Sequence, residues 1–426
     1  MRALTRGAVL LLASGLVVAG CGREENGEGT GGGAEAEAES VAEGEATGTV
    51  EVWAMGAEGE NLDVLAEDFM AENPEAEVRV TPVPWEAAHD KIATAIAAGE
   101  VPDVSLVGTT WMGEFAATDA LDPTPTDLID EDAFFDGAWD TTVYDGTSYG
   151  VPWYVETRLV FYRSDLAEQA GVEEPTDWDS LKALATGLQE AGARWGLNLQ
   201  PGATGAWQTF MPFAWQNGAA IVDDEGNYAL DSPEMVEALE YYASYFEEGL
   251  ASTALAQPGE LESGFAGGSI GAFVSGPWHV TLVEEQGGEG FEEQYTLAHM
   301  PEQETATSFV GGGDLVVFRD AENREAAWKF VEYVSRPEVQ QKWYETVSAL
   351  PSVESAWESG ELADDPKLAL FGEQLQDAQS PPAVPTWEQV AAVIDAQIEA
   401  VVVGGADPAA AVAEMQAQAE SIGTGG

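Results

Sequence analysis

The chain has 426 residues, 45% of them hydrophobic, and its 77 Asp and Glu residues against 15 Lys and Arg give it a net charge of −62. This length exceeds what one hydrophobic core usually takes, so we expect two domains. The charge excludes nucleic acid as a partner, because a surface that binds phosphates must be basic. Disorder is another reading of so acidic a chain, but its 14 Trp residues and other apolar residues are spread along it. We interpret the acidity as a solvated surface suited to a salt-rich environment, since salt screens its self-repulsion.

The first 20 residues have the pattern of a secretory signal. Arg2 and Arg6 precede an apolar run, AVLLLASGLVVAG, that is too short to span a membrane comfortably. Cys21 follows this run directly and is the only cysteine, so no disulfide can form within one chain. It is either a free thiol or, because its position resembles a bacterial lipobox, a lipidation site. That resemblance implies cleavage before Cys21 and two acyl chains, which together give a stable membrane anchor.

Strand and helix patterns alternate after a tether at residues 21–47, which is rich in Gly, Glu and Ala and which we expect to be flexible. Periods of two predict strands at 49–54, 77–83, 101–108, 154–162, 195–200, 269–276 and 307–318. Periods of 3.6 predict helices at 61–73, 87–98, 177–192, 235–249 and 325–334, and from Trp387. Ser335-Arg336-Pro337-Glu338 fits a capping box that begins a further helix. This alternation predicts parallel sheets covered by helices.

The strand predicted at 154–162 contains an unusual pair of charges. Glu156 and Arg158 lie on the same alternating face as Tyr154, Val160 and Tyr162. They are either an ion pair on the surface, which would contribute little stability, or side chains that face a ligand. Residue types alone do not decide between these two readings.

Several segments in a fixed order carry a family resemblance. They are the strand ending in Trp53, AAGEVPDVSLV, TTWMGEFAATDALDP, YGVPWYVETRLVFYRSDL, FAGGSIGAFVSGPW, and SFVGGGDLVVF with the following AAWKFVEYVSRPEVQQKWY. Each segment is a weak signal by itself. Together, over residues 49 to about 420, the chain resembles the extracellular solute-binding proteins of sugar ABC importers, a group that includes maltose- and trehalose-binding proteins.

The resemblance implies an α/β, two-lobed periplasmic-binding-protein-like fold of type II, each lobe a mainly parallel sheet flanked by helices. Hinge strands would join an N-terminal lobe of 48–154 plus 306–352 to a C-terminal lobe of 157–302 plus 357–422. A neutral di- or trisaccharide, with an α-glucoside as the leading guess, would bind in the cleft and pass to the ABC permease. The protein would be a monomer on the extracellular face of the cytoplasmic membrane, anchored through Cys21, with no cofactor, no metal and no catalysis.

The candidate ligand-binding residues combine aromatic plates, which stack on sugar C–H faces, with polar groups that bind hydroxyls. The resemblance places Glu156 and Trp278 in the cleft, and loops after predicted strands supply the others. The full set is Glu58, Thr109, Thr110, Trp111, Glu156, Trp207, Trp278, Gly312, Asp314 and Trp387. The loop tryptophans could instead be peripheral packing, whereas Trp328 and Trp343 lie in helical patterns and are predicted to be core residues.

Other functions fit parts of the same pattern. Gly311 to Gly313 lack the Lys-Ser/Thr and helix of a phosphate-binding loop, so they more simply indicate a close approach of backbone. An exported glycosidase would also need paired carboxylates, but the three His residues show no metal-ligand spacing and no nucleophile elbow is present. A polyamine would also suit acids and aromatic rings. No Arg lies between Ser380 and Trp387, where many relatives have one, so the exact sugar stays open.

Overall fold

The computed structural model describes residues 38–223 and 225–425. Its strands are β1 (Thr47–Met55), β2 (Glu75–Val83), β3 (Val104–Gly108), β4 (Val143–Tyr144), β5 (Thr147–Ser148), β6 (Val151–Thr157), β7 (Leu159–Tyr162), β8 (Ala272–Ser275), β9 (Thr296–Ala298), β10 (Ser308–Val317), β11 (Leu350–Pro351) and β12 (Ala378–Gln379). Its helices are α1 (Gly56–Asn61), α2 (Asp63–Glu72), α3 (Trp85–Ala98), α4 (Met112–Ala116), α5 (Asp136–Trp139), α6 (Ser164–Ala170), α7 (Trp178–Glu190), α8 (Trp207–Gln216), α9 (Pro233–Glu247), α10 (Glu260–Ala266), α11 (Trp278–Gly287), α12 (Arg324–Val334), α13 (Pro337–Val347), α14 (Glu361–Asp364), α15 (Pro366–Leu375), α16 (Trp387–Val402) and α17 (Pro408–Ile422).

The larger sheet has seven strands in the order β11-β6-β10-β3-β1-β2, with β12 paired to β10. Pairs β1/β2 and β1/β3 are parallel, whereas β10 runs antiparallel to both β3 and β6. Strands β1, β3 and β6 therefore run in one direction, and their carboxyl ends share one edge of the sheet. We call this sheet and the helices packed on it the large-sheet lobe.

A smaller sheet has the strand order β8-β7-β9, and both of its ladders are antiparallel. We call this sheet and its helices the small-sheet lobe. The chain passes from β6 of the large sheet to β7 of the small sheet at the single residue Arg158, and it returns from β9 to β10. The carboxyl ends of β1 and β3 thus point toward the small-sheet lobe, and β8 ends at the same crossing because Ser275 pairs with Leu159.

The two sheets and their covering helices agree with the predicted α/β class. The prediction that each sheet is mainly parallel needs correction. β10 enters the large sheet from the small-sheet side, so it must run against the strands that end there. The predicted strand at 195–200 makes only the isolated parallel bridges Trp195–Ile270 and Asn198–Phe273 beside β8. The predicted strand at 154–162 is divided at Arg158, where the chain changes sheets.

Local sequence signals explain several helix ends. Helix α3 ends at Gly99, which adopts a left-handed conformation with φ 66° that suits glycine. Helix α7 begins with a capping box between Asp177 and Ser180. The capping box predicted at Ser335 is wrong, because the Ser335 hydroxyl donates to the Val331 carbonyl at the end of α12 instead.

Each lobe has its own hydrophobic core. Trp328 and Trp343, 0% and 1% exposed, lie in the core of the large-sheet lobe, as predicted. Part of the predicted tether also packs there: Val41 contacts this core, and Arg324 Nη2 donates to the Glu39 carbonyl at 2.7 Å. Order therefore begins before the predicted start at residue 48. The signal at 1–20, Cys21 and the tether up to residue 37 lie outside the described residues.

Candidate functional site

The place where the chain crosses between the sheets contains a buried charge network. Arg158 is 5% exposed, and its Nη2 donates to Glu156 Oε1 at 3.3 Å and to Gln208 Oε1 at 3.0 Å. Glu156 is the penultimate residue of the large-sheet strand β6, and Gln208 lies in the first turn of α8 in the small-sheet lobe. The Glu156–Arg158 pair is therefore not an exposed surface pair, since their side chains are 27% and 6% exposed. It joins the two lobes at the crossing.

Trp278 is the exposed aromatic side chain of this crossing. It begins α11 directly after β8, and 40% of its surface is exposed, which is unusual for a residue of its size. The Arg158 guanidinium lies 5.0 Å from the Trp278 ring centroid and 4.9 Å from that of Phe309. Such cation–π contacts fix the plane of the indole. The exposed area of Trp278 remains available for stacking on a ligand.

The large-sheet side of the crossing combines carboxylates with partly exposed rings. Glu58, in the first turn of α1, has a raised pKa because it is largely desolvated and lies close to the Glu156 carboxylate. The pKa of Tyr154 is raised by burial and then by Glu58, Glu156 and Asp314, so these four groups are neighbours. Glu58 and Glu156, both candidate ligand-binding residues, therefore lie near each other, and Tyr154 is their buried neighbour.

A cavity of about 430 Å³ opens between the lobes beside this network. It is lined by Thr110 and Trp111 of the large-sheet lobe and by Trp207 and Gln208 of the small-sheet lobe, together with residues of α16. Its volume lies within the range of about 300–1,000 Å³ typical of small-molecule sites. Thr109 begins the same 3₁₀ turn as Trp111 but does not line the cavity.

Trp85 and Gln208 are site residues that sequence reasoning missed. Trp85 is the first residue of α3, and its ring meets that of Trp111 edge to face at 5.7 Å. An added Cβ at Gly56 would lie 2.6 Å from Trp85 Nε1 and 3.3 Å from Glu58 Oε2, so the indole N–H is near that carboxylate. The available signal was the position of Trp85 just after the carboxyl end of β2. Gln208 carried no sequence signal, because its role depends on the position of Arg158.

Asp314 does not point into the cleft, which corrects that expectation. It is 0% exposed, and the Thr141 hydroxyl lies 3.1 Å from both carboxylate oxygens. Burial raises its pKa to about 8. A shift of register between Gly313 and Asp314 explains its direction, because this bulge turns the side chain into the large-sheet lobe.

Gly312 serves backbone packing in the same bulge. Its φ is 135°, and an added Cβ would lie 2.1 Å from the Tyr154 carbonyl oxygen. Only glycine satisfies both conditions. The close backbone approach predicted for this glycine run is therefore an approach to β6. This packing explains the half-buried Gly312 without a ligand.

Trp387 and Trp207 lie behind the cleft surface. Trp387 is 1% exposed and Trp207 is 4% exposed, and their rings cross at 5.0 Å in the core of the small-sheet lobe. The prediction that Trp387 contacts the ligand is thereby corrected, because apolar neighbours enclose its indole. Trp207 keeps a small share of the cavity wall.

The described part of the chain shows neither a metal-binding cluster nor a membrane-spanning helix. Within residues 38–223 and 225–425, no group of three or more His, Cys, Asp or Glu side chains is arranged to hold a metal ion. Among the same residues, no helix combines the length and apolar character needed to cross a membrane.

Two α/β lobes with a polar and aromatic cavity between them are the architecture of a solute-binding protein. The sequence profile of the family described as bacterial extracellular solute-binding protein matches residues 64–370, and the chain belongs to this family. Among curated proteins, it is 26% identical over 350 residues to a maltotriose-binding protein of Pyrococcus abyssi (strain GE5 / Orsay), covering 78% of this chain and 73% of that protein.

Solved structures agree with the two-lobed fold. The sugar-binding protein MalE from Xanthomonas citri is 33% identical, with a TM-score of 0.82 over 88% of this chain and 97% of that chain. The GacH receptor of Streptomyces glaucescens, solved unliganded and in complex with acarbose, is 27% identical, with a TM-score of 0.75 over 89% of this chain and 99% of that chain. The predicted α/β two-lobed class is confirmed.

Proposed function

We propose that this protein is the solute-binding component of a carbohydrate ABC importer and that it binds a neutral di- or trisaccharide in the cleft. The observation that carries the proposal is the cavity beside the crossing. Trp111 of the large-sheet lobe and Gln208 of the small-sheet lobe line this cavity. Gln208 also accepts from Arg158, so the cavity adjoins the crossing where the Glu156 carboxylate and the partly exposed Trp278 ring lie. Carboxylates accept hydrogen bonds from sugar hydroxyls, and indole faces stack on sugar C–H surfaces.

The relatives support the choice of sugar class. The names of the Pyrococcus abyssi and Xanthomonas citri proteins refer to maltotriose and to sugar, and GacH was solved with acarbose. An α-glucoside is therefore the first ligand to test. The protein would deliver the sugar unchanged to the permease. It would act as a monomer and without a cofactor.

Cys21 would anchor the protein to the extracellular face of the cytoplasmic membrane after cleavage of residues 1–20. Detergent partitioning of the native protein and sequencing of its mature N-terminus test this part. A mature chain that begins at any residue other than Cys21 would contradict it. The Cys21→Ala variant should be released from the membrane without any change in ligand binding.

A thermal-shift screen tests the ligand class. A ligand that binds only the folded state at a hundred times its Kd stabilises it by about 2.7 kcal/mol. The panel should contain maltose, maltotriose, trehalose, chitobiose, glucose and spermidine. One oligosaccharide class should raise Tm clearly, and mass spectrometry should recover that sugar intact.

Spermidine is included because a specific observation favours it as the second candidate. Glu58 and Glu156 lie close enough for one to raise the pKa of the other, and such a pair would attract an organic cation. A response to spermidine without a response to any sugar would contradict the carbohydrate proposal. Hydrolysis of the bound sugar would instead indicate an enzyme.

A further inference from the structure

Two buried arginines lie five residues apart on the same run of chain but differ in their hydrogen bonding. The guanidinium of Arg163 is fully used: Nε and Nη2 donate to Asp165, and Nη1 donates to the carbonyls of Phe265 and Ala266. Arg158 is equally buried, yet its Nη1 has no hydrogen-bond partner among the described residues. A buried donor without an acceptor costs free energy of folding. Stability alone therefore does not explain arginine at position 158.

The surroundings of Arg158 belong to the site rather than to either core. Its Nη2 holds Glu156 of the large-sheet lobe and Gln208 of the small-sheet lobe, and its guanidinium lies 5.0 Å from the Trp278 ring centroid. Its backbone N–H donates to Ser308 Oγ, whose hydroxyl donates back to the Arg158 carbonyl. A single side chain thus orients one carboxylate and one aromatic plate of the cleft.

Titratable groups on four elements surround Arg158. Glu156 lies on β6, Glu58 on α1 is close to Glu156, and His279 on α11 has a lowered pKa from desolvation and from the nearby Arg158 charge. Glu262 on α10 lies 3.6 Å from His279 Nε2. Arg158 supplies positive charge where the Glu58 and Glu156 carboxylates would otherwise repel each other. Removing this charge would leave that repulsion uncompensated.

We propose that Arg158 is a positioning residue for sugar binding, which holds the Glu156 carboxylate in place and packs against the Trp278 indole. This inference rests on the proposed function. It assigns to Arg158 a role in affinity and in the pH dependence of binding, and it explains why a partly unsatisfied guanidinium is retained. Lysine keeps the charge but lacks the flat guanidinium whose Nη2 donates to both Glu156 and Gln208.

The test measures Kd for the sugar identified in the screen between pH 4.5 and 8, by isothermal titration calorimetry. Arg158→Gln should weaken binding about tenfold or more at pH 7, the size expected for loss of a charge-assisted hydrogen bond. It should also move the acid limb of the binding profile to higher pH. Arg158→Lys should weaken binding as well but keep the acid limb of the wild type, because the cation remains.

Arg163→Gln is the matched control, since it removes a buried arginine of the same chain segment away from the site. It should lower Tm while leaving Kd and the pH profile of the folded protein unchanged. In a Glu156→Gln background, Arg158→Gln should cost less affinity than in the wild type, because coupled residues are not additive.

An Arg158→Gln protein with the wild-type Kd and pH profile would overturn the inference. An acid limb shifted in Arg158→Lys would do the same, and this variant decides the question if Arg158→Gln does not fold. Absence of sugar binding by the wild type would instead count against the proposed function. The two failures are therefore distinguishable.

Discussion

The cleft surface and the layer directly behind it contain the same residue types with different exposure. On the surface, Trp278 is 40% exposed and the Glu156 side chain is 27% exposed. In the layer behind, Trp387 is 1% exposed and Asp314 is 0% exposed. Glu156 and Asp314 belong to strands of the large sheet, and Trp278 and Trp387 each begin a helix, so sequence position does not separate surface residues from buried ones. Changes at the surface should alter ligand binding, whereas changes in the buried layer should alter folding stability.

The largest effect is expected for Asp314→Asn, measured as stability against pH. The folded-state pKa of about 8 exceeds the ordinary value of 3.8, so between these values the folded protein binds more protons than the unfolded chain. Stability of the wild type should therefore fall as pH rises from about 4 to about 8. The asparagine amide oxygen can still accept a hydrogen bond from Thr141, but the amide does not titrate. The stability of the variant should therefore fall less than that of the wild type over this pH range.

Chemical denaturation at several pH values measures this difference. Parallel stability curves for Asp314→Asn and wild type would show that Asp314 does not titrate in this window. Sugar binding at pH 5 should be equal in the two proteins, because the side chain does not reach the cleft.

Trp387→Ala should lower the free energy of unfolding by about 3–5 kcal/mol, the usual cost of emptying a buried aromatic site. Its indole packs against Trp207 in the core of the small-sheet lobe. Urea denaturation at pH 7 measures the loss. If the protein kept its stability but lost sugar binding, the assignment of Trp387 to the buried layer would be wrong.

Trp278→Ala should weaken sugar binding by about 2–4 kcal/mol, as expected for an aromatic hot spot, and should change stability little. Calorimetric titration measures the affinity. Leu282→Ala is the control, because Leu282 is also 40% exposed on the same helix, one turn further along. Equal affinity of Trp278→Ala and Leu282→Ala would remove Trp278 from the site.

The smallest effect should come from Glu156→Gln, about 1.5–3 kcal/mol of binding free energy, the usual value of a hydrogen bond to a charged group. The amide keeps the size of the side chain and can still accept from Arg158. Glu60→Gln, at an exposed position of α1, is the matched control. Wild-type affinity for Glu156→Gln would show that the carboxylate faces only Arg158.

Much of the fold could be predicted from periodicity and turn residues. The helix at 87–98 with Gly99 at its end, and the buried Trp328 and Trp343, depend on local patterns that sequence displays directly. Strand direction could not be predicted this way. The antiparallel entry of β10 depends on which lobe the chain comes from, and that is a property of the whole path.

The types of residue in the site could be predicted from the sequence, but the burial of each residue could not. The SGPW segment and the charges in the strand led to Trp278, Glu156 and Arg158, which the structure brings together. Asp314 and Trp387 looked equally suitable, because the bulge at Gly313 and the packing of α16 against α8 are tertiary features. Trp85 was missed although its position just after the carboxyl end of β2 was a usable signal.

The reciprocal bonds between Arg158 and Ser308 have a mechanical consequence for closure. Two of the segments that connect the lobes lie side by side, with Thr157 paired to Val310 and Glu156 paired to Gly311. We expect closure to be a twist of this pair as one ribbon, in which the ladder is kept and neither segment slides past the other. The lobes can then rotate without breaking backbone hydrogen bonds, so the elastic resistance to closure should be low. Ligand binding energy would be retained as affinity rather than used to separate the connecting strands.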